Sequence, residues 1–236
     1  MRKIILLLMF VALSVCSGMT ALAEQSAPAS LALPSEISRF NIKDIYGRII
    51  PAEQLKDWIV VYGFGNENNA MTMVGWLKEI TLAYPDTKGI MFICIAETSK
   101  YPKVMGPMVR RVLKKEYEQE LETLGAKLAE KGFKQERPLD EKYIMIADTS
   151  GAYYNHFGIG DGKDDAHVFI FDGDHVPRAY FSDYSEEMKT TLASLLAERE
   201  EKQRFAAIQM SAKKKNTFRK YALIGAAVAA GVLLLD

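Results

Sequence analysis

Cysteine is nearly absent, with two in 236 residues, Cys16 and Cys94. Cys16 falls in an N-terminal apolar stretch with the features of an export signal, which leaves Cys94 alone and excludes an internal disulfide in the processed chain. Histidine is scarce too. His156, His167 and His175 lie eleven and eight residues apart, spacings that fit no compact metal motif, so no metal site is expected. Neither charge sign is in excess. With 30 basic and 30 acidic residues, a nucleic-acid partner has no electrostatic support and is not expected. The C-terminal apolar run is also short. Tyr221 to Leu235 is 15 residues, about 22 Å as a helix against about 30 Å of hydrocarbon.

The two ends carry the clearest compositional signals. Residues 1–23 read as a signal peptide. Arg2 and Lys3 give the positive start, Ile4 to Val15 the apolar stretch, and Ala21-Leu22-Ala23 the small-x-small cleavage site. An uncleaved N-terminal anchor is the alternative. A lipoprotein signal at Leu13-Ser14-Val15-Cys16 ranks lower, because Val15 is bulky where a small residue is needed. Removing Arg2 and Lys3 from 30 bases leaves 28 against 30 acids, a net charge of −2. Residues 24–37 are a linker rich in Ala, Ser and Pro. At the far end, a charged helical connector (199–220) precedes the tail 221–235. Lys213, Lys214, Lys215, Arg219 and Lys220 form a basic collar there, suited to anionic headgroups. The tail is expected to associate with a membrane, with packing on a partner as the alternative.

Between the ends, residues 38–198 suit one domain. Phe40 to Ile50 predicts a hairpin turning at Tyr46-Gly47, and Pro51 to Lys56 a turn of helix. Trp58 to Phe64, Gly89 to Ala96, Tyr143 to Ala147, His167 to Asp172 and Pro177 to Phe181 predict strands, with a turn at Gly173-Asp174. Helical spacing covers Ala70 to Ala83, about Val104 to Lys131, and Ser185 to Glu200, where Ser185 can cap; a short helix ends near Phe157-Gly158. In the long helix, Met105, Met108, Val109, Val112, Leu113, Tyr117, Leu121, Leu124 and Leu128 form the apolar face. Glu116, Glu118, Glu120 and Glu122 form its solvated side. Buried strands alternating with helices imply parallel pairing, and the late hairpin adds antiparallel strands.

That order resembles the thioredoxin-like superfamily in its peroxiredoxin and membrane-tethered thioredoxin forms, over about residues 40–197. Asn41 to Arg48 is similar to the opening D-x-x-G hairpin of those families, and Val60 to Gly65 to the strand feeding their active-site loop. Asp148-Thr149-Ser150-Gly151 with His156-Phe157-Gly158-Ile159 resembles their D-x-x-G and F-G-V segment, and Phe169 to Asp174 their F-L-I-D-x-x-G hairpin. The resemblance implies an α/β fold with a central mixed sheet flanked by helices, to which the helical spacing of Val104 to Lys131 adds an extended helical insertion and the apolar run Tyr221 to Leu235 a C-terminal apolar helix. It also implies a C-x-x-C opening the first long helix, where the helix N-terminus lowers a thiol's pKa. Here those positions are Asn68-Asn69-Ala70-Met71, with no sulfur nucleophile. The cis-proline before the fourth strand falls near Ala166. The chain therefore looks like the cysteine-free, YtfJ-like periplasmic type.

The expectation is a redox-inactive, exported binding or scaffold module with no catalytic residue and no cofactor, which meets a protein partner through the loop Gly65 to Met71, with Asn68, Asn69, Ala70 and Met71, and the segment Lys163 to Ala166. The alternative is a thiol oxidoreductase or peroxidase using Cys94 at an atypical site. Cys94 sits in the apolar run Met91 to Ile95, where a core role is expected. Asp161, Asp164 and Asp165 lack the closing Glu of a calcium loop. The glycines at 158, 160 and 162 precede a strand, not a helix, and so make no phosphate loop. His156 and His167 are placed near the edge of the candidate site.

Overall fold

Apolar runs of five to eight residues form the centre of the molecule because both of their faces are covered. The computed structural model describes residues 42–85, 89–134, 138–159, 165–182 and 184–233. The proposed signal peptide and the linker lie outside these. β1 (Ile42–Lys43) and β2 (Ile49–Ile50) form a small antiparallel hairpin. β3 (Ile59–Gly65), β4 (Ile90–Glu97), β5 (Tyr143–Asp148), β6 (His167–Phe171) and β7 (Pro177–Phe181) form the main sheet in the order β5-β4-β3-β6-β7. β3, β4 and β5 run parallel; β6 is antiparallel to β3 and β7 to β6. With the helices below, this is a thioredoxin-like fold, as the motif order implies.

Alternation along β3 divides the core. Ile59 and Val61 face one side with Met73, Leu77 and Ile80 of α1 (Ala70–Ala83), Tyr117, Leu124 and Leu128 of α2 (Gly106–Glu130), and Met188, Leu192 and Leu195 of α5 (Glu187–Leu233). Val60, Tyr62 and Phe64 face the other side with Ile42, Leu55, Tyr154 and Phe157. That side is covered by the β1–β2 hairpin, the 3-10 turn Ala52–Leu55 and the short α4 (Ala152–His156).

Three buried or half-buried aspartates hold the turns. Asp44 accepts hydrogen bonds from the Tyr46 and Arg48 amides at 2.9 and 2.7 Å and from Arg48 Nε at 2.5 Å. Asp148 accepts from the amides of Ala152, Tyr153 and Tyr154, which are the first donors of α4, at 3.0, 2.9 and 3.2 Å. Asp172 accepts from the Asp174 and Val176 amides at 3.0 and 2.9 Å. The D-x-x-G and D-G motifs of the sequence are thus turn-capping devices.

The helix expected over Ser185–Glu200 and the helical connector expected after it form one continuous helix that runs to Leu233. Between Ser185 and Ile224 the chain contains neither Pro nor Gly and is rich in Ala, Glu, Lys, Arg and Gln, so nothing local stops it. A short α3 (Leu139–Lys142), which no periodicity announced, precedes β5. Finally, the apolar face of α2 is only partly core. Tyr117, Leu124 and Leu128 are buried, but Met105, Met108 and Val112 face solvent, because the start of the helix projects past the packed layer. No helix among the described residues is long and apolar enough to cross a membrane.

Candidate binding site at the α1 N-terminus

β3 delivers the chain to the start of α1 through Asn66 to Asn69, and side-chain amides fold this loop on itself. Asn69 Oδ1 accepts the Asn66 amide and Asn66 Oδ1 accepts the Asn68 amide, both at 2.8 Å. The Asn66 carbonyl accepts the Ala70 amide at 2.9 Å, and the Asn69 carbonyl the Met73 amide at 3.1 Å. Asn66 and Asn69 are buried. Gly65 lets the turn close: a Cβ there would lie 2.9 Å from Ala70 Cα, a backbone contact that cannot yield cheaply.

The five residues expected to form the site gather at one end of the sheet. Asn68, Asn69, Ala70 and Met71 lie at the mouth of α1. Ala166 is buried immediately before β6. The last β3–β6 pair is Phe64 with His167, so the antiparallel register sets Ala166 beside Gly65. Lys163 and Asp164, expected to complete the surface, lie outside the described residues. No peptide bond among the described residues is cis.

Asn69 turns inward and holds the loop, Asn68 is exposed, and the Met71 side chain is 69% exposed. Beside them opens an apolar cleft of about 80 Å³ between α1, α2 and the sheet. Ala70, Met71, Leu113, Tyr117 and Cys94 contribute to its walls. The ion pair of Lys78 with Glu120 stands at the same cleft.

Cys94 is 4% exposed on β4, across from Gly63 of β3. Burial pushes its thiol from the usual 9 up to about 12. That is the reverse of the shift a thiol nucleophile requires. Tyr117 and Tyr143 nearby are raised as well, burial being the main cause. The Tyr117 hydroxyl donates to the Tyr143 carbonyl at 2.5 Å, and the Tyr143 hydroxyl bonds Thr81 Oγ1. This polar pocketful is therefore internally satisfied.

His167 is buried, with Nδ1 2.8 Å from the Tyr180 hydroxyl and its ring stacked on Tyr180 at 5.9 Å. His156 packs edge-on against Phe157 at 5.6 Å, and burial lowers its pKa. Among the described residues, no group of three His, Cys, Asp or Glu side chains is placed to hold a metal.

No family model matches the chain, and no curated protein sequence matches it. Solved structures similar to it include thiol-disulfide oxidoreductases and thioredoxins of low identity. The C-terminal domain of a proposed thiol-disulfide oxidoreductase from Bacteroides thetaiotaomicron aligns at 15% identity and TM-score 0.47, over 70% of this chain and 99% of that one. A secreted disulfide oxidoreductase of Mycobacterium tuberculosis aligns at 12% and 0.39, over 66% and 96%. An exposed lipoprotein thioredoxin of Streptococcus pneumoniae aligns at 13% and 0.40, over 67% and 98%.

The Asn66–Asn69 interlock left no mark in the sequence pattern beyond a cluster of turn-forming residues. An Asn-rich turn before a helix was the available signal. Which asparagine turns inward depends on the approach of β3 to α1.

Proposed function

We propose that this chain is an exported, redox-inactive thioredoxin-like module that binds a protein partner through the α1 mouth, formed by Asn68, Asn69, Ala70, Met71 and Ala166. One observation carries the reading. The helix N-terminus that would activate a thiol presents amide and thioether side chains, and a buried asparagine pair fixes its loop. A Met thioether does not ionise, but it is polarisable and adaptable against apolar partner surfaces. The burial of Cys94 weighs against the alternative, a thiol oxidoreductase or peroxidase.

A photo-crosslinking residue at Met71 is expected to trap a partner in the cell envelope. Replacing Asn68 with Ala and Met71 with Asp together, in a chain without the crosslinker, should then lower pull-down of that partner by about thirtyfold, the scale of a binding hot spot. Unchanged capture would remove this surface from consideration. Disulfide or peroxide turnover by the native chain, lost in Cys94→Ser, would decide for the thiol enzyme instead.

The tail 221–235 is part of the proposal as a surface-associated anchor. It holds Leu223, Ile224, Val228, Val232, Leu233, Leu234 and Leu235, each contributing about 1.5–3 kcal/mol when fully buried. Deleting residues 221–236 should abolish retention on membranes through a high-salt wash, read by fractionation. If the intact chain washes off as readily as the truncated one, the tail is a packing element.

A further inference from the structure

The start of α2 carries an arrangement that neither the core nor the α1 mouth uses. Val104, Met108 and Val112 are 87%, 64% and 46% exposed. Spaced four residues apart, they form one stripe along the helix and the 3-10 turn Lys103–Met105 that leads into it. Met105 adds to it. From Thr98 to Lys115 there is no acidic residue and there are six basic ones: Lys100, Lys103, Arg110, Arg111, Lys114 and Lys115. Arg111 follows Met108 by three residues and Lys115 follows Arg111 by four, so cations are interleaved with the apolar stripe on the helix surface. Lys100 and Lys114 approach Glu97 and Glu118 at 3.9 Å. Lys103, Arg110, Arg111 and Lys115 form no ion pair with any described residue.

This is an exposed apolar patch of the kind that marks a contact surface. Its shape narrows the choice of partner. The four apolar tips project from a corner bounded by Pro102 and Pro107, and none of them lines the neighbouring cleft between α1 and α2. Projecting tips with cations between them suit a soft, negatively charged plane more than a side chain arriving in a groove.

We propose that this corner of α2 rests on an anionic lipid surface. Val104, Met105, Met108 and Val112 enter the headgroup boundary, while Arg111 and Lys115 extend their charged ends to lipid phosphates. The contact is peripheral and salt-sensitive. It depends on neither the α1 mouth nor the tail.

The full chain is tested on vesicles of phosphatidylglycerol and phosphatidylcholine in equal parts, and on phosphatidylcholine alone. Arg111→Glu with Lys115→Glu should lower partitioning onto the anionic vesicles by about twentyfold and leave neutral-vesicle binding unchanged. Val104→Ser with Met108→Ser should also weaken anionic binding, with the melting temperature of both variants unaltered. Mild peroxide gives a readout independent of tail affinity. On anionic vesicles Met105 and Met108 should oxidise more slowly than in solution, while Met71 keeps its rate. Equal Met108 oxidation with and without bound vesicles overturns the proposal, as does unchanged partitioning after charge reversal. Protection of Met108 by soluble polyglutamate to the same extent overturns it in favour of an acidic protein.

Discussion

In the folded protein at pH 8, Cys94 should react with a small alkylating reagent about a thousandfold more slowly than the same residue in denaturant, from thiolate fraction alone. Burial raises its pKa from 9 to about 12, and the low exposure of the strand adds a steric barrier. The same shift has a stability consequence with a defined sign. The folded state holds the thiol proton more tightly than the unfolded state does. The contribution is complete below pH 9 and is lost as pH rises through about 12. Three pH units correspond to on the order of 4 kcal/mol at most. Denaturant titrations between pH 8 and 11 should therefore show a decline that is shallower in Cys94→Ala. Rapid labelling of the native protein would show that Cys94 is reached by solvent and would revive the thiol reading. An alkaline slope identical in Cys94→Ala would show that the thiol contributes nothing to it.

Phe157→Ala should cost about 3–5 kcal/mol, a large part of the 5–15 kcal/mol typical of a domain. Phe157 is buried just after α4, with its ring centroid 5.2 Å from Tyr62, 4.7 Å from Phe64, 5.0 Å from Phe169 and 6.2 Å from Phe171. It is the element that joins α4 to β3 and β6, so its removal opens a cavity among four rings that cannot collapse without moving the sheet. Phe157→Leu, which keeps most of the volume, should lose about 1.5 kcal/mol or less. The midpoint of chemical denaturation reads both. A loss under about 1 kcal/mol for the alanine variant would mean that this layer is far more adaptable than close packing allows.

The sequence announced the central strands well because they are buried on both faces. Val60 to Phe64 and Met91 to Ile95 need no alternation, and an uninterrupted apolar run has few other folded solutions. Ala70 to Ala83 was legible for a related reason: an Asn-rich loop, then apolar spacing. The continuity of α5 was not: a helix, a helical connector and a tail were read as separate segments, and the absence of Pro and Gly between Ser185 and Ile224 lets them run as one helix to Leu233. The exposed start of α2 was misread for a different reason. Periodicity reports that a face is apolar but not what covers it, and Met108 and Val112 have the spacing of core residues without a core beside them. At the candidate site, the absence of cysteine from Asn68 to Met71 was readable residue by residue. The inward turn of Asn69 was not visible, nor was the alignment of Ala166 with Gly65. Both depend on strands and a helix that lie far apart in the chain.

The two edges of the main sheet are treated unequally, and this bears on how the protein behaves when concentrated. Along β5 the Ile45 amide bonds the Met145 carbonyl, so the hairpin lies against that margin. No described strand pairs with the outer margin of β7. An open margin is where a second chain could add itself as a further strand, with indefinite stacking as the end point. β7 is only five residues long and begins with Pro177, which has no N–H to offer. Its register with β6 slips between Ile170 and Phe171. Arg178 is drawn toward Asp172 at 3.0 Å and Glu198 at 3.1 Å, which places charges at this margin. A short, interrupted margin flanked by charge is a poor template, so a further chain adding at β7 would find fewer backbone partners there than along a longer, smoother strand.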